Sequence, residues 1–188
     1  MKLISVRIFG CNGSTTTASV IAGIDWVAAN RVRPAVANLS FGGPASATMD
    51  AAVRRMIVTY GVSAAIAAGN ESRASCLHSP ASVSEAMTVA ASDSMDRRAG
   101  FSNYGSCVDW FAPGVDIRSA WIDSRTAVAE LNGTSMAAPH VAGVAALYLQ
   151  RHRSASPATV RSALYRFSTK RVIADPNTAN RHLLYSLE

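Results

Sequence analysis

The sequence has few charged residues, few cysteines and no long apolar run, and each of these shortages excludes a class of protein. Charged residues make up 16% of the 188 residues and hydrophobic residues 49%, a balance that excludes an intrinsically disordered chain. No apolar run approaches the roughly 20 residues that a membrane-spanning helix needs, so no membrane partner is expected. Three cysteines are too few for a small disulfide-built domain, and their odd number leaves at least one thiol unpaired within this chain.

The basic charge is modest and does not indicate nucleic-acid binding. Lys and Arg number 18 against 12 Asp and Glu, which gives a formal net charge of +6. The basic residues are densest over 151–171, where only Tyr165 and Phe167 offer rings that could stack on bases. We interpret this region as the solvated face of a terminal helix.

The first third of the sequence alternates between strand and helix patterns. Alternating apolar and polar residues predict a strand over 3–9, without the apolar core or cleavage site of a signal peptide. A helix follows, capped by Ser14 or Thr15 and ended before Pro34. Its predicted apolar face consists of Val20, Ile21, Ile24, Trp26 and Val27. The next elements are predicted to be a strand over 35–39, a helix over 46–60 with Met49, Val53, Met56 and Ile57 on one side, and a buried strand over 62–68. This order is typical of an α/β fold with an open, mainly parallel sheet.

The remainder of the chain contains shorter strands and two more helices. The predicted strands are 86–91, 108–112, 117–121 and 126–131. The apolar segment from Thr134 to Gln150 predicts a helix that is buried nearly all round. Ser156-Pro157 opens a last helix, with proline at its first position. No repeat or linker is apparent, so residues 1–188 are predicted to form one domain.

Ser135 stands where a residue with a chemical role is often found. Ser135 follows a glycine-containing turn and begins the long apolar helix, where the field of the helix N-terminus favours the negative charge that develops in acyl transfer. Local chemistry alone favours a simpler role, a helix cap for Ser135 and a turn residue for Asn70.

The segment from Gly133 to Gly143 changes that interpretation. It reads Gly-Thr-Ser-Met-Ala-Ala-Pro-His-Val-Ala-Gly and resembles the nucleophile motif of subtilisin-like serine proteases, in particular the proteinase K branch. Further segments resemble the same family, in its order and near its spacing: 20–27, 67–70, 79–81, 101–105 and 111–114. Six collinear matches are not expected by chance. The resemblance implies a subtilisin-like α/β fold with helices on both faces of the sheet, and it covers nearly the whole chain.

The resemblance implies a role for each matched residue. Ser135 matches the nucleophile, and Asn70 matches the side-chain donor of the oxyanion hole, with the Ser135 backbone N–H as the second donor. The implied substrate is an extended polypeptide, bound by Leu39, Ser40, Phe41, Gly42, Ala67, Ala68 and Gly69. The small residues of this set predict a pocket for medium to large apolar side chains. His140 lies five residues beyond Ser135 on the same helix, so it is expected to be structural.

Two motifs of the family are missing. The triad runs Asp, His, Ser along the chain, yet neither an Asp-Thr/Ser-Gly turn nor a His-Gly-Thr-His string occurs here. The chain is therefore expected to be the C-terminal portion of one catalytic domain, lacking its early strands and helix, and to be inactive alone. Three hypotheses remain open: a fragment of an active serine endopeptidase, a non-catalytic pseudo-protease that binds peptides, or an inert, partly unfolded remnant.

The cysteines and one carboxylate carry further expectations from the resemblance. Cys76 and Cys107 match a disulfide pair, and Cys11 matches a position whose partner lies upstream of this chain, the alternative being a plain buried free thiol. A disulfide and the family both imply a secreted protein.

The chemistry is expected to need no cofactor, but a structural Ca²⁺ is possible by resemblance. Asp109 and the backbone carbonyls of Ser84 and Ala86 are its expected ligands. Alternatively, Asp109 is a loop residue that accepts local N–H bonds. The resemblance makes no prediction about the oligomeric state.

Overall fold

The computed structural model describes residues 1–178 and 180–185. Within them lie four α-helices: α1 (Thr17–Asn30), α2 (Ala47–Val58), α3 (Thr134–Arg151) and α4 (Pro157–Phe167). The strands are β1 (Val36–Leu39), β2 (Gly43–Pro44), β3 (Ser63–Ala67), β4 (His78–Ser79), β5 (Met87–Ser92), β6 (Trp110–Pro113), β7 (Ile117–Ala120) and β8 (Val128–Leu131). In this part of the chain no helix is both long and apolar enough to cross a membrane.

The main sheet is parallel and has four strands in the order β1-β3-β5-β6. β1 is the end strand and pairs with β3, with Leu39 opposite Ile66. Two small antiparallel pairs lie outside this sheet, β2 with β4 and β7 with β8. Because the strands of the main sheet are parallel, all their carboxyl ends meet at one edge, as the sequence pattern predicts.

Helices cover both faces of the sheet. Alternate residues of β3 point to opposite sides, as strand geometry requires. Ala64 and Ile66 lie in the hydrophobic cluster formed with α1 and α2. Ala65 and Ala67 lie in the cluster formed with α3 and α4. All five residues of β3 are buried, which explains the uninterrupted run of small and apolar residues.

The predicted starts of α2 and α4 are confirmed, because a serine caps each helix at its amino end. The Ser46 side chain accepts from the Met49 N–H at the start of α2, and Gly61, with φ of 69°, follows its end. Ser156 caps α4, which begins at Pro157. The predicted inner face of α2 is confirmed, since Met49, Val53, Met56 and Ile57 are all buried.

Four sequence expectations are wrong. The cap of α1 is Thr16, whose hydroxyl accepts from the Ser19 N–H at 3.1 Å, rather than Ser14 or Thr15.

Residues 3–9 form no strand in the described chain, because their backbone has no neighbouring strand; the side chains of Val6 and Ile8 approach Gly23 of α1 instead. Trp26 is 48% exposed, because the inner stripe of α1 is Val20, Ile24 and Ala28.

The fourth concerns α3, which is not buried all round. Its buried residues form one stripe, Thr134, Ala137, Ala138, Val141, Ala145 and Leu149, while Leu147 is 38% exposed. A helix that covers only one face of a sheet keeps its other side in solvent.

Candidate active site

The carboxyl ends of β1 and β3 and the amino end of α3 meet at one edge of the sheet. β1 runs into Ser40, β3 runs into residues 68–70, and α3 begins directly after Gly133. In open parallel sheets, ligands bind in the crevice outside the carboxyl ends of the strands. This edge is therefore the place to look for a site.

Ser135 lies in the first turn of α3 and is joined to Ser40 by two reciprocal hydrogen bonds. The Ser135 hydroxyl donates to the Ser40 carbonyl oxygen at 3.1 Å, and the Ser40 hydroxyl donates to the Ser135 carbonyl oxygen at 2.7 Å. A carbonyl oxygen accepts a hydrogen bond without taking the proton. This partner therefore positions the Ser135 hydroxyl but does not activate it as a nucleophile.

The Asn70 side chain is oriented by Thr134. Asn70 Oδ1 accepts from the Thr134 backbone N–H at 2.9 Å and from the Thr134 hydroxyl at 3.0 Å. The same hydroxyl oxygen accepts from the Gly69 N–H at 3.1 Å. Because a backbone N–H only donates, the atom of Asn70 that faces it must be the amide oxygen. The amide nitrogen, Nδ2, is thereby left to face the crevice.

Asn70 Nδ2 and the Ser135 backbone nitrogen surround one point beside Gly133. A β-carbon built on Gly133 would lie 3.6 Å from each of these two nitrogens. Glycine has no β-carbon, so the space between the donors stays open. Two fixed N–H donors around one point can stabilise the negative oxygen that forms when a carbonyl group is attacked. The fold thus brings together Asn70 and Ser135, as the oxyanion prediction requires.

Asn103 braces the loop that carries Asn70. This residue is fully buried, and its amide makes four hydrogen bonds. Oδ1 accepts from the N–H groups of Glu71 and Arg73, at 3.0 and 2.9 Å. Nδ2 donates to the Ala68 carbonyl at 2.9 Å and to Glu71 Oε2 at 2.8 Å. A β-carbon on Gly69 would lie 2.2 Å from Asn103 Nδ2, so this close approach requires glycine at a φ of 105°.

A cavity of about 90 Å³ opens beside Ser135. Of the predicted substrate-binding residues, the cavity is lined by Phe41, Gly42, Ala67, Ala68 and Gly69, together with Asn70. Leu39 does not line it, because its side chain is buried in the core with α1 and α2. Ser40 contributes its bonds to Ser135 instead.

The sequence analysis missed two ionisable residues on the cavity wall, Glu71 and His78. Glu71 Oε2 also accepts from the Asn70 N–H at 3.0 Å, and His78 Nε2 lies 3.6 Å from the same oxygen. The signal was available, since Glu71 directly follows Asn70 and His78 precedes the matched Ser79-Pro80-Ala81 segment. The wall of the cavity is therefore more polar than the small residues alone indicate.

The histidines are placed as follows. His140 Nδ1 lies 2.8 Å from the Met136 carbonyl oxygen, one turn earlier on α3, so it binds within its own helix. His152 stacks on Tyr148, and His182 Nε2 lies 3.1 Å from the Tyr165 hydroxyl. Burial, with help from Lys170 and Arg171, lowers the pKa of His182.

The predicted disulfide is confirmed. Cys76 and Cys107 are bonded, with their Cα atoms 5.3 Å apart at a sequence separation of 31. Cys11 is a free, exposed cysteine. The bond joins the segment after the Asn70 loop to the segment after Asn103. It therefore helps to hold Asn103 against the loop that carries Asn70.

Two of the three predicted calcium ligands, Asp109 and the Ala86 carbonyl, are engaged by an arginine. Ser84 makes no hydrogen bond with that arginine and donates its hydroxyl to Glu85 Oε2 at 3.1 Å. Asp109 Oδ1 accepts from Arg161 Nη2, and Arg161 Nε donates to the Ala86 carbonyl at 3.1 Å. Asp109 Oδ2 accepts from the Thr88 N–H at 2.9 Å. Burial raises the pKa of Asp109, while Arg161 and the Thr88 N–H act in the opposite direction. No group of three or more His, Cys, Asp or Glu side chains that could hold a metal occurs among residues 1–178 and 180–185.

Comparison with known proteins gives consistent matches along the chain. The model of the subtilase family, Peptidase_S8, matches residues 1–183. The chain is 51% identical over 184 residues to the extracellular serine proteinase of Thermus sp. (strain Rt41A), covering 98% of this chain and 45% of that protein. It is 48% identical over 187 residues to the alkaline serine exoprotease A of Vibrio alginolyticus, covering 100% of this chain and 34% of that protein.

A solved structure agrees with these matches. The crystal structure of a cold adapted subtilisin-like serine proteinase superposes with a TM-score of 0.93 at 47% identity, over 97% of this chain and 66% of that one. This likeness confirms the predicted fold class. The chain spans less than half the length of the two curated relatives above.

Proposed function

Because the chain belongs to the subtilase family, we propose that it carries the nucleophile, the oxyanion donors and the substrate cleft of a serine endopeptidase. One observation carries the proposal: Asn70 Nδ2 and the Ser135 backbone nitrogen each lie 3.6 Å from a single point beside Gly133, next to the Ser135 side chain. The proposed substrate is an extended polypeptide whose side chain before the cleaved bond enters the cavity beside Ser135.

In the proposed reaction the Ser135 oxygen attacks the peptide carbonyl carbon. A carbon–oxygen bond forms, and the carbonyl electron pair moves to the oxygen, where the two N–H donors stabilise it. Collapse of this intermediate breaks the carbon–nitrogen bond and leaves an acyl group on Ser135, which water then removes. Each stage needs a base that takes a proton from the attacking oxygen and passes it to the leaving group.

We further propose that this chain alone turns peptides over slowly. The Ser135 hydroxyl donates to the Ser40 carbonyl, which cannot serve as that base. The sequence also lacks the family's Asp-Thr/Ser-Gly and His-Gly-Thr-His motifs. The same observations favour a second candidate function, a module that binds extended peptides without cleaving them.

A peptide boronic acid tests the site without requiring turnover. Boron adds the serine oxygen and becomes tetrahedral, which places a negative oxygen between the donors. Asn70→Asp is the sharpest variant, because it keeps the oxygen that accepts from Thr134 and replaces the donating nitrogen by an acceptor. We expect binding at least tenfold weaker for this variant and for Ser135→Ala, by fluorescence titration. Asn30→Ala is the control, because Asn30 is an exposed residue at the end of α1 and does not line the cavity. Equal affinity in all four proteins would contradict the proposal.

A turnover assay separates the two candidate functions. A fluorogenic peptide is incubated with the chain, and a fluorophosphonate is used to label Ser135, with intact mass as the readout. Slow hydrolysis with intact peptide binding supports the binding module. The slow hydrolysis would then be the residual catalysis that oxyanion donors alone supply. Fast hydrolysis and rapid labelling of Ser135 would show a competent endopeptidase and overturn the proposed need for a further base.

We also propose that the protein works outside the cell. The Cys76–Cys107 bond needs an oxidising compartment, and one of the similar proteins is named an extracellular proteinase. Secretion would be tested by fractionating the source culture and detecting the chain by mass spectrometry. Recovery of the chain only from the cytosol, with Cys76 and Cys107 reduced, would count against this proposal.

A further inference from the structure

The Arg161 side chain crosses from α4 to the β5–β6 side of the sheet. Its guanidinium binds the Asp109 carboxylate through Nη2 and the Ala86 carbonyl through Nε, at 3.1 Å for the latter. Arg161 Cζ lies 6.0 Å from the centre of the Trp110 ring, which is fully buried. The Asp109 side chain is only 15% exposed, so the carboxylate meets its counter-charge largely away from water.

The oxygen atoms in this cluster are of the kind that calcium prefers. Calcium takes about 6–8 oxygen ligands from carboxylates, backbone carbonyls and water, at about 2.3–2.6 Å. Here a carboxylate oxygen of Asp109 and the Ala86 carbonyl already accept from one guanidinium, and the other carboxylate oxygen accepts from the Thr88 N–H. An ion at these oxygens would have to displace a permanently charged group that is tethered to α4. The residues present do not fit a bound calcium ion while Arg161 is in place.

We propose that Arg161 is an internal cation that takes the place of a calcium ion at Asp109. The guanidinium neutralises the carboxylate and ties α4 to Ala86 and Asp109, which directly precede β5 and β6. The contribution of this cluster to the free energy of unfolding therefore does not depend on the calcium concentration. Replacing Arg161 by a small neutral residue uncovers a latent site for calcium, with Asp109 as its only carboxylate. This inference does not depend on the proposed proteolytic function, because its test requires no catalysis.

Calcium-dependent melting and terbium luminescence test the proposal on the whole chain. Terbium binds the same hard oxygen ligands as calcium, and the neighbouring Trp110 indole can sensitise its emission. We expect wild type and Asp109→Asn to respond identically to calcium and to chelator, whatever other ions the chain binds. Arg161→Ala should gain a terbium signal and a rise in Tm of about 3–5 °C at calcium roughly ten times its Kd. The double variant with Asp109→Asn should lose both gains.

Arg54→Ala is the matched control. Arg54 forms a similar pair with Glu85, at 2.9 Å, on the residue directly before Ala86, but this pair is more exposed. Its loss should create no terbium signal. Arg161→Lys keeps a positive charge and serves if the alanine variant does not fold; it should show no calcium response.

Two results would overturn the proposal. The first is a calcium response of the wild-type chain that Asp109→Asn abolishes, because an ion would then bind with Arg161 present. The second is an Arg161→Ala chain that folds but shows no Asp109-dependent response to either ion.

Discussion

Asn103 offers the sharpest test of how the candidate site is held together. Asn103→Ala removes four hydrogen bonds at once from a fully buried amide. Each neutral bond contributes about 1 kcal/mol, and the buried Ala68 carbonyl that loses its partner costs about 1–3 kcal/mol. Water can replace part of the loss at Glu71 and Arg73, which are exposed. The expected loss in the free energy of unfolding is therefore about 3–4 kcal/mol.

The assay is equilibrium unfolding in urea, followed by tryptophan fluorescence. With a slope of about 2 kcal/mol per molar, the midpoint should fall by about 1.5–2 M. Asn103→Asp is the matched variant: it keeps the accepting oxygen but turns a second one towards the Ala68 carbonyl and the Glu71 carboxylate, so it should destabilise at least as much. Asn30→Ala removes one exposed bond at 2.9 Å and should cost less than about 0.5 kcal/mol. An Asn103→Ala chain as stable as the Asn30 control would refute the reasoning.

Other expected outcomes follow from single features. Replacing Cys76 and Cys107 by serine opens a loop with a separation of 31 residues and should cost about 3–4 kcal/mol, measured by urea unfolding against the oxidised wild type. The Arg97 backbone N–H and side chain lower the pKa of Asp93, so its stabilisation should be present above its ordinary pKa of about 3.9 and be lost as the pH falls through the lowered value. The stability difference between wild type and Asp93→Asn should therefore shrink as the pH is lowered from about 5 to about 2, and a constant difference would contradict it. Gly133→Ala places a β-carbon between the oxyanion donors, so it should weaken boronate binding at least tenfold in the same titration; unchanged affinity would contradict the assigned position of the oxyanion.

Local patterns predict the helices of this fold well because helical burial is periodic. In α2 the residues at Met49, Val53, Met56 and Ile57 share one face, and that face is the buried one. Residue type alone was a poorer guide in α1, where the large indole of Trp26 suggested burial but its position two residues after Ile24 turns it outward. The strand over 3–9 could not be settled locally, since a strand exists only where a neighbour bonds to it.

For the site, the motifs around Asn70 and Ser135 gave the pair that the fold brings together. The contacts that hold the pair in place join residues far apart in the sequence, so a local pattern can single out a residue, as it does within 101–105, but not the partner of that residue. Asn103 reaches Glu71 across 32 residues, and Arg161 reaches Asp109 across 52. Such pairs depend on which loop lies against which helix. The expectation of calcium at Asp109 rested on resemblance alone. It did not take into account Arg161 of α4, which binds the same carboxylate.

The position of β1 has a practical consequence for anyone who handles this protein. In the described chain this end strand is bonded to β3 on one side, so its other side presents backbone groups on which a second molecule can align. The formal net charge of +6 opposes the approach of two copies, and at 0.1 M dissolved ions screen this repulsion beyond about 10 Å. Dilute, low-salt storage therefore favours monomers, whereas concentrating the protein in high salt promotes strand-to-strand aggregation, which dynamic light scattering can follow.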